Sequence, residues 1–173
     1  GSSAISLQYK MPPVNLAHIK KLTTDFGMIQ FSKINQPDIT SGYTLDDNAR
    51  AMIAMCQHFE FSHDEEDIKY IRIYLRFIQH CLQPNGDFLN YVNEQKDFSE
   101  QNNTTNLADS NGRAVWALGY LISMHNILPE ELINAAGRVI QSALHNISYI
   151  HSTRAMAFAI KGLYYYNSKK EAP

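Results

Sequence analysis

The sequence contains little cysteine, no long apolar run and no cluster of basic residues. Cys56 and Cys81 are the only two cysteines among 173 residues. They show neither CxxC nor Cys/His spacing, so we expect two reduced core thiols and no metal site. No apolar stretch reaches the ~18 residues of a membrane span, and no leader segment is recognisable. A net charge of −2 without a basic patch argues against nucleic acid as a partner. We therefore expect a cytoplasmic protein, unless a leader has been removed.

Several signatures of cofactor binding and catalysis are also missing. Neither GxxxxGK[ST] nor GxGxxG occurs, so the sequence gives no sign of a nucleotide cradle. HExxH is absent, and no Ser-His-Asp or Cys-His arrangement can be read from the spacing. The segment 46–50 begins with two aspartates but ends in Arg50, which excludes the DDxxD motif of prenyl-diphosphate enzymes. We expect no metal ion and no cofactor.

The composition is that of a folded domain. Hydrophobic residues make up 45% of the chain and charged residues 18%, which is unlike a disordered tail or linker. The length corresponds to one domain. Since Gly1-Ser2-Ser3 looks like a remnant of recombinant expression, we expect a single domain over residues 4–173.

Two kinds of helical segment alternate along the chain. Segments of the first kind carry an apolar stripe on one face, which predicts helices with one wet side; they are 13–23, 68–82 and 130–146. Segments of the second kind are apolar nearly all round, which predicts buried helices; they are 49–56, 113–122 and 154–163.

The alternation is an internal repeat. Asp46 and Asp109 each stand four residues before the arginine of an Arg-Ala pair, and a shortened third unit contains Arg154-Ala155. An outer ring of amphipathic helices around an inner ring of apolar ones predicts an all-α fold, an incomplete α/α toroid of about three helical hairpins. The loops 26–45 and 86–108 both precede inner helices, so we expect them at the same end.

Three strings carry a resemblance to a known family; they are residues 41–51, 109–119 and 152–159. In these strings the chain resembles the bacterial α/α-toroid domain that accompanies, or is fused to, glycosyltransferases and is related in fold to six-hairpin glycosidases. Toroids of that family are closed rings, and the repeats here make about half of one. The resemblance implies sugar chemistry, with an oligosaccharide or other glycan as ligand.

The candidate catalytic residues are three aspartates at the starts of inner helices: Asp46, Asp47 and Asp109. Hydrolysis of a glycosidic bond needs two carboxyl groups, of which one protonates the leaving oxygen and the other attacks or activates water. Capping of the helix start, or an ion pair with the arginine four residues later, would explain Asp46 and Asp109 equally well. Asp47 has no aspartate counterpart in the other units.

The candidate binding residues are cations, aromatic rings and amides that the repeat places near the loops. Arg50 and Arg113 recur in apolar surroundings, where they can either interlock the helices or recognise a sugar phosphate. Aromatic rings offer stacking faces for sugars or simply form core. The aromatic candidates are Tyr43, Phe88, Tyr91 and Trp116, and the amide candidates, which loop turns would explain as well, are Asn90, Asn103, Asn106 and Asn111.

Three functions remain open at this point. The chain is a carbohydrate-active toroid of glycosidase-like or glycosyltransferase-linked type, a non-catalytic module that binds glycans or scaffolds a glycosyltransferase, or a sugar epimerase. The epimerase would need a pair of pocket histidines, and His151 alone is well placed. Because the final helix presents apolar residues around its surface, we also expect a homodimer or a partner that supplies a second half of the toroid.

Overall fold

The computed structural model describes residues 15–33, 36–147 and 153–170, with side chains left out at a few margins of these ranges. Gly1–Ser3, His151 and the side chain of Arg154 lie outside this description. The helices in the described residues are α1 (Leu16–Leu22), α2 (Leu45–Ser62), α3 (Glu66–Cys81), α4 (Gln101–Thr104), α5 (Ala108–Ser123), α6 (Glu130–Ile147) and α7 (Thr153–Lys170). The strands are β1 (Ile29–Lys33), β2 (Gln36–Thr44) and β3 (Tyr91–Val92).

The fold is mostly helical, which confirms the predicted all-α class in its main part; one small sheet was not expected. Within the described residues, each of the six predicted helical segments contains or belongs to a helix. The loop 26–45, however, holds two strands that join β3 in a three-stranded antiparallel sheet of order β1-β2-β3. Tyr43 pairs with Val92 and Thr44 with Tyr91. This pairing brings the two long loops together at one end of the helices, as expected.

The six described helices other than the short α4 lie in two rows, α2, α5 and α7 in one and α1, α3 and α6 in the other. In one row α5 packs between α2 and α7; in the other, α3 packs against α6, and Lys20 of α1 pairs with Glu66 of α3. The rows meet where α2 contacts α3 and α5 contacts α6. Between them lies a core that includes Met52, Leu75 and Leu118, each at most 2% exposed.

Helices α5 and α7 cross without room for side chains at two glycines. A Cβ added to Gly119 would collide with the backbone of Gly162, and one added to Gly162 would collide with Val115. Only glycine at both positions allows this approach. The crossing fixes α7 against the same helix that carries Asp109 and Arg113.

Two asparagines show that the sequence repeat is also a structural repeat. The Asn48 side chain accepts from the Met28 amide at 2.8 Å and donates to the carbonyls of Met28 and Thr44. The Asn111 side chain makes the same three bonds to Phe88 and Leu107, each at 2.9 Å. Each asparagine thus ties the start of its loop to the residue that precedes the helix.

Candidate functional site

The three aspartates predicted as catalytic residues line one polar cavity of about 360 Å³. It lies at the N-terminal ends of α2 and α5, beside the sheet. Five of the predicted binding residues also line this polar cavity; they are Arg50, Asn90, Tyr91, Asn106 and Arg113. The lining is completed by Gln30, Thr44 and Ser110.

Asp46 connects two helices through two arginines. Its Oδ2 lies 3.0 Å from Nε of Arg50, one turn along α2, and its Oδ1 accepts from Nε of Arg113 on α5 at 2.6 Å. The pairing with Arg50 confirms the predicted contact between residues four apart. The bond to Arg113 is a cross-link between neighbouring repeats that sequence spacing does not indicate.

Arg113 is the more deeply placed of the two cations. Its side chain is 9% exposed, against 53% for Arg50. The guanidinium carbon lies 4.2 Å from the centre of the Phe158 ring on α7, a cation–π distance. Arg113 therefore touches both helices that flank α5 in the row. This supports the interlocking role over free recognition of an anion.

Asp47 forms a reciprocal cap with Thr44 at the start of α2. The Asp47 amide donates to the Thr44 hydroxyl at 3.1 Å, and that hydroxyl donates to the Asp47 carboxylate at 2.8 Å. Burial raises the pKa of the Asp47 carboxyl, and the neighbouring Asp46 carboxylate raises it further, while the bond from Thr44 opposes the rise. Burial thus favours the protonated form of the Asp47 carboxyl.

Asn90 holds the start of α2 against the second loop. Its side-chain oxygen accepts from the Asp46 amide at 3.0 Å, and its carbonyl accepts from the Leu45 amide at 2.8 Å. Asn102 of α4 in turn accepts from the amides of Asn90 and Tyr91, both at 2.9 Å. A buried amide network therefore fixes the wall of the cavity that Asn90 and Tyr91 form.

Three of the predicted aromatic residues do not line the polar cavity. Tyr43 is 3% exposed and packs against Phe26 and Phe77, because the last residues of β2 face the core. Phe88 is 1% exposed. Trp116 stacks on Phe158 at 5.6 Å, and Lys161 lies over its ring. Tyr91 alone of the four belongs to the cavity.

Sequence reasoning missed several residues that build the site. Thr44, Gln30 and Ser110 line the cavity, and Asn102 supports its wall. The bonds of Asn48 and Asn111 to their own loops had a sequence signal, since both asparagines stand two residues before the repeated arginine; Asn111, expected to meet sugar hydroxyls, is bonded to Phe88 and Leu107 instead. No local pattern marks Asn102, because its partners Asn90 and Tyr91 lie 12 and 11 residues away along the chain.

The cavity offers carboxyl, guanidinium, amide and hydroxyl groups around a space of about 360 Å³. Such groups donate to and accept from hydroxyls, and paired carboxyls can move protons.

Within the described residues no three His, Cys, Asp or Glu side chains could together hold a metal ion. None of the helices described is long and apolar enough to cross a bilayer. No protein-family model matches the sequence, and no curated protein matches it.

Proposed function

We propose that this protein is a carbohydrate-active or carbohydrate-binding domain that takes an oligosaccharide in the polar cavity. The observation that supports this most is the convergence of Asp46, Asp47 and Asp109 from two repeats on one opening. A sugar presents many hydroxyls, and the cavity presents charged and amide groups that pair with them. Tyr91 supplies the aromatic face.

The helical arrangement supports the same proposal at the level of fold. Two rows of helices, with equivalent asparagines at the starts of α2 and α5, are what an incomplete α/α toroid of three hairpins requires. The domain is then a relative of the toroids that accompany glycosyltransferases, as the resemblance of residues 41–51 and 109–119 implies. In such an arrangement the ligand binds at the loop end.

If the domain is catalytic, the three aspartates divide the work. Asp47, whose pKa is raised by burial, protonates the glycosidic oxygen as the bond to the anomeric carbon breaks. Asp109 accepts the proton of the attacking water or of an acceptor hydroxyl. Asp46 is bound to two guanidinium groups and positions Arg50 and Arg113.

A non-catalytic module or scaffold of a glycosyltransferase is the second candidate. It is favoured by the fact that carboxylates of the cavity are engaged within the protein, Asp46 with arginines and Asp47 with Thr44. A sugar epimerase is less well supported, because no histidine among the described residues lines the polar cavity.

The test is a calorimetric titration against a panel of oligosaccharides, with product analysis of the same mixtures by mass spectrometry. Asp109→Asn and Asp47→Asn should weaken binding at least tenfold or abolish turnover. Asp25→Asn, which changes an exposed carboxylate outside the cavity, is the matched control. Binding without any product would assign the non-catalytic module. Binding that survives both substitutions unchanged would place the ligand elsewhere and overturn the proposed site.

A further inference from the structure

A second cavity, of about 260 Å³, lies on the other side of the first turn of α5. Leu107, Ala108 and Asn111 face this second cavity, whereas Asn106, Asp109 and Ser110 face the polar one. Its remaining walls include Gly86 of the second loop, Val115 of α5 and Ala143 of α6. We call this space, lined by Gly86, Leu107, Val115 and Ala143 among others, the ring cavity.

The side-chain NH2 groups of the two asparagines that line the ring cavity already have acceptors. Asn111 spends its oxygen on the Phe88 amide and its nitrogen on two carbonyls. The Asn146 nitrogen donates to the Asn85 carbonyl and to the Asp87 carboxylate, both at 2.8 Å. The surface that a ligand would contact in this cavity is mostly carbon, and Leu107, Val115 and Ala143 supply part of it. The cavity therefore suits an apolar group.

The internal repeat shows what the cavity is missing. The first unit here is the loop start 26–28 with α2 and α3, and the second is the loop start 86–88 with α5 and α6. Because Asn48 and Asn111 make identical bonds, Met28 corresponds to Phe88, and two residues earlier Phe26 corresponds to Gly86. The buried stripe of α3 matches that of α6 at an offset of 65 residues, which aligns Ile71, Leu75 and Ile78 with Ala136, Ile140 and Ala143. The same offset aligns Phe77 with Ser142.

In the first unit this space is filled by aromatic rings. Phe26 and Phe77 pack edge to face with their centroids 5.3 Å apart, and Met52 and Ile78 lie buried in the same core. The second unit has Gly86 and Ser142 in place of the two rings, and Val115 and Ala143 in place of the two aliphatic chains. A Cβ added to Gly86 would collide with the Ser142 carbonyl, so the loop backbone cannot regain a side chain there.

We propose that the ring cavity is a binding site for a small aromatic compound, whose ring takes the place that Phe26 and Phe77 occupy in the first unit. The ligand inserts an unsubstituted ring edge between Val115 and Ala143. Its polar substituents stay at the mouth, since the amides inside have no free donor to offer. This site does not depend on the proposed function, because it lies on the opposite side of the α5 turn.

The test is a titration of the methyl-labelled protein with indole, followed by two-dimensional NMR. The expected result is saturable shifts at the methyl groups of Leu89, Leu107, Val115 and Ala143. Ala143→Ile and Val115→Met restore the side chains of the first unit and should each reduce indole affinity at least tenfold. Gly137→Ala, on the same helix but facing open space, should bind indole as the unchanged protein does.

Thermal melts of all variants accompany the titrations, and two independent filling variants guard against one that fails to fold. The proposal is overturned if indole produces no saturable shift at these methyls up to its solubility limit. It is also overturned if both filled variants fold and still bind indole with unchanged affinity. Oligosaccharide binding by the filled variants is read separately, so a failure here leaves the polar cavity unaffected.

Discussion

The carboxylate of Asp46 at the start of α2 is shared between Arg113 of the next repeat, at 2.6 Å, and Arg50 of its own helix, at 3.0 Å. The two cations differ chiefly in their environment. Arg113 is nearly buried and also contacts the Phe158 ring, whereas more than half of the Arg50 side chain is exposed.

This difference predicts unequal costs for two matched substitutions. Arg113→Met should lower the free energy of unfolding by roughly 3 kcal/mol, because it leaves a partly buried carboxylate without its cross-repeat partner. Arg50→Met removes an exposed pair between residues four apart and should cost less than about 0.5 kcal/mol. Urea denaturation of both variants gives the comparison. Equal losses would show that the pair of Asp46 and Arg113 stabilises the protein no more than the exposed pair of Asp46 and Arg50.

Asp47→Asn should change the pH dependence of stability. Below the ordinary carboxyl range Asp47 is protonated in both the folded and the unfolded chain. As the pH rises, the unfolded chain ionises first because the folded pKa is raised, so this group opposes folding increasingly through its folded pKa.

The Asp47→Asn variant should therefore gain stability relative to the unchanged protein between about pH 3 and pH 7. Thermal melts across this range measure the difference, with Asp25→Asn as the exposed control. At neutral pH the same substitution should weaken glycan binding, and the loss of binding free energy should exceed the change in the free energy of unfolding. A large drop in melting temperature with unchanged binding would assign Asp47 to capping alone.

The crossing of α5 and α7 predicts opposite outcomes for two glycine-to-alanine changes. Gly119→Ala places a methyl group against the Gly162 backbone and should destabilise the protein by about 1–3 kcal/mol. Gly137→Ala meets nothing within 4 Å and should stabilise α6 by up to about 1 kcal/mol. Denaturant midpoints report both. A neutral Gly119→Ala would mean that the two helices separate at little cost.

The outward side of α7 predicts self-association. Ile160 is 59% exposed and Tyr164 70% exposed, one turn apart on the same helix. We expect a second copy to cover this flank in a two-fold dimer, with a total interface above roughly 1,200 Å². Light scattering should show a dimer that Ile160→Lys with Tyr164→Lys converts to a monomer. Ile127→Lys, in the α5–α6 connection, is the control; a monomeric unchanged protein contradicts the prediction.

The helices could be predicted from sequence because each carries a periodic pattern that is visible locally. The sheet could not. Strands β1 and β2 pair as neighbours in the chain, but neither shows a long alternation of its own. Strand β2 also pairs with β3, so that Thr44 meets Tyr91 across nearly fifty residues of sequence. Propensity reports local preference, whereas the contact of β2 with β3 joins residues far apart in the sequence.

The candidate site divides in the same way. The repeat was enough to bring Asp46, Asp47 and Asp109 to one end, since equivalent positions in neighbouring units face the same side. It gave the Arg50 partner of Asp46 but not Arg113, whose bond joins two units. Tyr43 was misplaced because an aromatic residue next to a helix start can face either surface of the strand before it. Only the direction of its side chain decides, and that follows from packing on Phe77.

The equivalent bonds of Asn48 and Asn111 have a consequence for how this protein can vary. Each asparagine side chain binds both ends of a loop, the first end at Met28 or Phe88 and the second at Thr44 or Leu107. The distance between the two ends is therefore set by one side chain and not by the length of the loop. The two loops differ in length and content, one with a β-hairpin and the other with β3 and α4, yet both lead to an aspartate that lines the polar cavity. New loops could therefore be grafted between the same two ends, and the surface around the cavity remodelled, while the helices beneath keep their positions.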